Sequence, residues 1–188
     1  MEVKERKKEL RKKIRVIDRS LTPDYCREAS RIICQKITRL EEYKKASMVF
    51  CFVGVGAEPD TTAIIEDALH RGKRVCLPLC MDDTTMQAME ITDIDKDLVP
   101  GAYYDIPEPR QGLPVVDVCD IDFALIPCVT CDHKGNRLGH GKGYYDRYLA
   151  DTGFRKAMIC YEKRTVAEGE IPVEEFDKTI ETVVTDAE

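Results

Sequence analysis

The chain reads as an α/β protein, a three-layer Rossmann-like domain with a mostly parallel sheet and helices on both faces. Three observations predict it. Helical and strand-like segments alternate along the chain, the pattern of layered α/β domains. Short apolar runs such as SMVFCFV (47–53) have the composition of strands buried on both sides. A glycine-rich polar segment follows one such run and leads into a helix, where α/β sheets place their ligands.

Val3, Leu10, Ile14 and Ile17 recur at helical spacing among Lys and Arg, predicting a helix over 3–19. Residues 20–24 break it, and Thr22-Pro23 supplies a cap and first turn for a second helix. Ala29, Ile32, Ile33, Ile37 and Leu40 line one face of that helix to about residue 40. The strand over 47–53 ends in a loop with Gly54, Gly56 and Pro59. A helix over 60–71 follows, capped by Asp60 or Thr61 and stopped by Gly72. Residues 74–79 form a second strand, and this strand–helix–strand unit predicts a parallel crossover. Residues 86–91 read as a short strand and 93–111 as mostly irregular. Strands over 123–127, 156–161 and 181–185, with a short helix over 144–151, complete the list.

The chain has 188 residues, 43% of them hydrophobic and 34% charged. That suits one domain spanning 1–188, large enough to fold without a metal or disulfide staple. The net charge of −6 argues against a nucleic-acid binder. Residues 1–45 nevertheless hold 15 Lys/Arg and 8 Asp/Glu, a net of +7, which suits either a solvated helix face or attraction of a polyanion. No apolar run is long enough to span a membrane, and the charged first fifteen residues lack a secretory core, so a cytoplasmic protein is expected. Nine cysteines, an odd number, suit a reducing compartment. Cys128 and Cys131 make a C-x2-C pair, half of a zinc site, but no second C-x2-C or H-x3-H follows at the right spacing. They are therefore expected to pack rather than bind metal.

The segment richest in chemistry is DHKGNRLGHGKGYYDRYL, 132–149. Gly135, Gly139, Gly141 and Gly143 lie within nine residues and permit close approach of backbone N–H groups to a ligand. The helix start adds partial positive charge, and Arg137 and Lys142 add full charges. Asp146 lies one turn into the helix, where a carboxylate can hold a divalent cation. Together these describe a cradle for a triphosphate and magnesium. The segment is neither a Walker A loop nor G-x-G-x-x-G. On residues alone, a tight turn into a helix with packed tyrosines stays open as an alternative.

The run GNRLGHGKGYYDRYL (135–149) resembles the signature of the 5-formyltetrahydrofolate cyclo-ligase family. KKELR (7–11), EPDT (58–61), RVCLPLC (74–80), YYDIPEP (103–109) and EEFDKTIETVVT (174–185) resemble further family segments, in the family's order. The resemblance implies ATP-dependent closure of 5-formyltetrahydrofolate to 5,10-methenyltetrahydrofolate, with Mg²⁺ as cofactor. It implies ATP phosphate contacts for Lys7 and Arg11, and a nucleotide wrapping of Arg137, Leu138, Gly139, His140, Gly141, Lys142, Gly143, Tyr144 and Tyr145. It places Val55, Asp60, Tyr104, Tyr144 and Tyr145 at the folate, and Asp146 with Asp177 at the metal. Small-molecule substrates, no nucleic-acid or membrane partner, and a monomer are expected. The chain departs from the family in Leu79, where a basic residue is usual, in Cys128, which replaces a common glycine, and in His140 and Lys142, at positions often Tyr and Gly. Other classes compatible with the fold are a folate- or nucleotide-binding protein without turnover and a relative of sugar-phosphate isomerases or CoA transferases.

Overall fold

The computed structural model describes residues 2–101, 106–148, 152–175 and 177–187. The first helix, α1, runs Val3–Asp18 and buries Leu10 and Ile14. Helix α2, Pro23–Ile37, starts as the Thr-Pro pair predicts: Thr22 accepts a hydrogen bond from the Tyr25 N–H, and Pro23 occupies the first turn. It ends three residues before the expected 40, and a short helix α3, Glu41–Lys45, follows. Strand β1 is Met48–Phe50, and helix α4 is Thr62–His70.

The loop between β1 and α4 is closed by contacts that the residue pattern hides. The Thr61 hydroxyl donates to the Phe52 carbonyl and accepts from the Gly54 N–H. The backbone comes so close at Gly54 that a Cβ there would lie 1.9 Å from the Pro59 carbonyl oxygen. Thr61 is the N-cap position and makes no side-chain cap bond; Asp60, one residue earlier, covers the helix start instead, its Oδ1 accepting from the Thr62 N–H at 2.9 Å.

Strands β2 (Arg74–Cys80) and β3 (Met86–Ile91) form an antiparallel pair. The stretch expected to be irregular carries structure of its own: helix α5 at Ile94–Asp97, then strands β4 (Leu98–Pro100) and β5 (Pro107–Pro109) paired antiparallel. Prolines at 100, 107 and 109 hide this ladder from pattern reading, because a proline within a run demotes it as a strand. Edge strands tolerate them where the missing N–H faces away from the partner. Strand β6, Val115–Val116, extends the main sheet and is too short to show periodicity.

Strand β7, Phe123–Ile126, is buried throughout. The polar segment after it is a hairpin rather than a simple loop: β8 (Thr130–Cys131) pairs with β9 (Arg137–Leu138). Helix α6 covers Tyr144–Tyr148 among the described residues. Strands β10 (Arg155–Ile159) and β11 (Thr182–Val184) finish the chain.

The main sheet has the order β11-β10-β7-β1-β2-β3-β6. Strands β11, β10, β7, β1 and β2 are parallel; β3 runs opposite to them, and β6 at the edge, antiparallel to β3, runs in their direction again. The α/β expectation therefore holds, and the reversed β3 makes the sheet mixed. Alternation in the three middle strands divides the core. Val49, Phe123, Leu125, Ala157 and Ile159 face α2 and α4, packing with Ile33, Ile37, Ile64 and Ile65. Met48, Phe50, Ala124, Ile126 and Met158 face the other way, against Tyr145 and Tyr148 of α6. Period-2 alternation explains the split, since successive strand side chains point to opposite faces. Helices thus lie on both faces, two long ones on the first and the short α6 on the second.

Ile33 has no exposed surface and sits between α2 and the sheet. Replacing it with alanine removes buried methylene and methyl groups and leaves a cavity. The expected cost is about 2–5 kcal/mol, read as a lower urea midpoint with unchanged slope.

Candidate active site

Five parallel strands point their carboxyl ends at one edge of the sheet, and the site assembles there. The hairpin β8–β9 starts three residues after Pro127 and is held by a compact turn. Asp132 accepts from the backbone N–H groups of Lys134 and Asn136, both at 3.0 Å, and from the Asn136 side chain at 2.8 Å. Gly135 lies in that turn with φ +86°, and a Cβ there would stand 1.9 Å from the Ile180 carbonyl oxygen. Only glycine meets both demands.

The hairpin delivers Arg137 inward. Arg137 is 8% exposed, and its guanidinium donates to the Asp146 carboxylate in the first turn of α6. The glycine run between them is thereby closed at both ends by one ion pair. From the opposite side, Arg11 of α1 donates through Nε to the Gly139 carbonyl oxygen at 2.8 Å. Burial, with Arg15 adding to it, pushes the Arg11 guanidinium below its usual range, though an arginine stays charged. The β2–β3 turn grips the same run: Tyr144 donates to the Asp82 carbonyl oxygen at 2.6 Å, Lys142 to the Asp83 carboxylate at 2.9 Å, and Arg147 to the Thr84 carbonyl oxygen at 2.8 Å.

Two cavities meet along this run. The first, about 440 Å³, gathers charged side chains and is lined by every residue from Arg137 to Asp146, with Lys7, Arg11 and Asp177. All eleven nucleotide candidates and both metal candidates therefore face one space, although 170 positions separate Lys7 from Asp177 in the chain. Lys7 pairs with Asp177 at 2.6 Å and Glu174 at 2.8 Å. Burial lowers the Lys7 pKa, but hydrogen bonds and charge from Asp177 and Glu174 outweigh it, so the net shift is upward. Lys4, Pro127 and Glu174 also line this cavity and escaped sequence reasoning. Glu174 stood beside Asp177 in the EEFDK run, a signal that a second acid was near.

The second cavity, about 320 Å³, is mainly apolar, with Phe52, Val55, Leu77, Met86 and Ile106 in its walls. Pro127, His140, Lys142, Tyr144 and Tyr145 line both cavities. At the junction His140 Nε2 lies 3.0 Å from Glu58 Oε1. Tyr145 packs edge-to-face on Phe50, and burial raises its phenol well above the ordinary range, so it stays neutral.

Of the folate candidates, Val55, Tyr144 and Tyr145 line this second cavity. Asp60 does not. It opens onto a separate groove beside α2, with its N–H bonded to the Ser30 hydroxyl, and covers the start of α4 as described above. The acid that the EPDT segment does send to the cavity is Glu58. Tyr104 lies outside the described residues. Leu79 is absent from the described walls of both cavities.

The Lys7 ion pairs carry a pH signature. A lysine whose pKa rises on folding stabilises fully below its unfolded value and loses that contribution as pH climbs through the folded value. The ordinary value here is 10.5. Urea midpoints should therefore fall more steeply above about pH 10.5 in the wild type than in Lys7→Met. Parallel pH profiles would remove Lys7 as the cause.

The sequence profile of the 5-formyltetrahydrofolate cyclo-ligase family matches residues 3–186. The Escherichia coli K12 protein named 5-formyltetrahydrofolate cyclo-ligase is 30% identical over 92% of this chain and 96% of its own length. The mouse protein of that name is 26% identical over 95% of this chain and 92% of its own. The solved structure of Aquifex aeolicus 5,10-methenyltetrahydrofolate synthetase superposes with a TM-score of 0.84 at 30% identity, covering 97% of this chain and 90% of that one. Profile, sequence and fold agree over almost the full length, and the chain belongs to the 5-formyltetrahydrofolate cyclo-ligase family.

Proposed function

We propose that this protein closes 5-formyltetrahydrofolate to 5,10-methenyltetrahydrofolate at the expense of ATP, releasing ADP and phosphate. The observation that carries the reading is the junction of a cationic cavity with an apolar one across shared side chains. A triphosphate suits the first, which gathers Lys7, Arg11, Arg137 and Lys142. A flat heteroaromatic ring suits the second, with Tyr144 and Tyr145 at its mouth.

The chemistry needs such a junction. A formyl amide carbon is a weak electrophile, and its oxygen is a poor leaving group. Transfer of the γ-phosphoryl group to that oxygen makes a good leaving group. N10 then attacks the carbon, phosphate departs with the oxygen, and the N10 proton passes to solvent. The two substrates must meet with reacting atoms about 3–3.5 Å apart. Charge spreads over the phosphoryl oxygens in the transition state, so the cation at Lys142 stabilises it, while Arg11 holds the bound nucleotide. No side-chain nucleophile is required.

Asp146, Asp177 and Glu174 give the first cavity a set of carboxylate oxygens, the donor type that Mg²⁺ prefers together with phosphate oxygens and water. Bound there, Mg²⁺ would neutralise charge on the phosphates. Without a ligand, Arg137 and Lys7 hold the same carboxylates in place. The nine unbridged cysteines suit a reducing compartment such as the cytoplasm. Among the described residues no helix is long and apolar enough to cross a membrane.

Two substitutions test the reading, with formation of the methenyl product followed by absorbance in the presence of ATP and Mg²⁺. Asp146→Asn should lower kcat by about 10²–10³-fold while circular dichroism shows the fold intact. Full turnover in that variant would exclude a metal role for Asp146. Arg11→Ala should raise KM for ATP by about tenfold with kcat within a few-fold of wild type. Absence of folate-dependent ADP release from the folded wild-type protein would overturn the activity itself.

A further inference from the structure

Behind the glycine run, on the sheet face that carries α6, three cysteines converge. Cys128 follows β7 by two residues, and Cys131 ends β8. Cys160 lies just past the end of β10. The register of β7 and β10 ends at Ile126 opposite Met158, so Cys128 and Cys160 each stand two residues beyond the last paired positions. Period-2 alternation sends both to the face occupied by Ile126 and Met158. The tight hairpin folds Cys131 back onto them. The three Sγ atoms lie within 4.8 Å of one another, and the residues are 2%, 0% and 0% exposed.

The sequence offered only the C-x2-C half of this cluster; the third sulfur arrives from a strand 29 residues further along. Three mutually adjacent thiols exceed what packing or a single disulfide needs. Bonds of about 2.3 Å from one ion to three sulfurs set the sulfurs about 4 Å apart, so closure needs a movement of less than about 1 Å. We infer that Cys128, Cys131 and Cys160 form a three-thiolate site for one soft divalent cation of the zinc and cadmium class.

The surroundings fit that ion. Binding displaces the protons of all three thiols, which pass to solvent. A divalent cation on three thiolates carries one net negative charge; the neighbouring Arg164, itself 2% exposed, is paired with Asp18 at 2.8 Å. The adjacent Asp132 carboxylate is committed to the hairpin turn, so the coordination is by sulfur. Hard cations are disfavoured by such a donor set.

The position gives the ion a consequence. Cys128 follows Pro127, which lines both cavities, and Cys131 is paired in register with Arg137. A bound ion would tie the ends of β7, β8 and β10 together directly beneath the Arg137–Asp146 pair.

The site is buried, so loading is tested during folding. Full-length protein is refolded under reductant with Cd²⁺ as the probe, desalted, and analysed for metal and for thiolate-to-cadmium charge-transfer absorption. About one cadmium per chain should be retained, and the thermal midpoint should rise by several degrees over metal-free protein. The double variant Cys128→Ser/Cys131→Ser should retain less than about a tenth of an equivalent, whereas Cys34→Ser and Cys119→Ser should retain the full amount. Cadmium-113 resonance on the wild-type protein provides a readout independent of variant folding: a shift in the sulfur-rich region supports the site. No retained metal, oxygen- or nitrogen-rich coordination, or equal retention by the double variant would overturn it.

Discussion

The buried Arg137–Asp146 ion pair is the constraint on which the site rests. It joins the end of the β8–β9 hairpin to the first turn of α6, and the glycine run must arch between these two fixed points. Arg137 is almost inaccessible, so its charge is costly to bury without a partner. That cost makes the pairing obligatory. The arch therefore keeps one shape before any ligand arrives, with Arg11 holding one flank and the β2–β3 turn the other.

Preorganisation of this kind suits phosphoryl transfer, where positioning and charge stabilisation supply most of the acceleration. The cations lining the first cavity come from two distant places, α1 and the glycine run, and acids meet them from the C-terminal segment. The cations of this cavity are held in internal acid–base pairs, Lys7 with Asp177 and Arg137 with Asp146, rather than as bare charges. The apolar cavity alongside is built differently, from the segment after β1, from β2 and from the β5 segment, with aromatic side chains from the start of α6 at the boundary. The two cavities thus offer different dielectric environments that join at shared side chains.

Alternation of the central strands has a second effect. The same parity that divides the core into two apolar layers sets Cys128 and Cys160 on one face. The sulfur cluster is thus a product of the register between β7 and β10, which also fixes where the hairpin leaves the sheet. Floor and arch share one origin.

Much was legible in the residues. Alternating apolar runs and helical stripes predict the α/β class, and the helices α1, α2 and α4 and the strands β2, β3, β7 and β11 fall close to their expected bounds. The glycine spacing and the flanking Arg, Lys and Asp mark the first cavity, because local backbone freedom and charge are written in sequence order. Other features depend on contacts across the chain. The proline-rich β4–β5 ladder, the Lys7–Asp177 pair and the meeting of Cys160 with the C-x2-C pair have no local signature. Asp60 and Glu58 were separable only by the path of the loop, which turns the first to the helix start and the second to the cavity. Sequence alone determined the periodicities and the chemistry available to the glycine run. Tertiary structure decided which distant side chains share a space, because sheet register and loop closure, rather than spacing along the chain, set those distances.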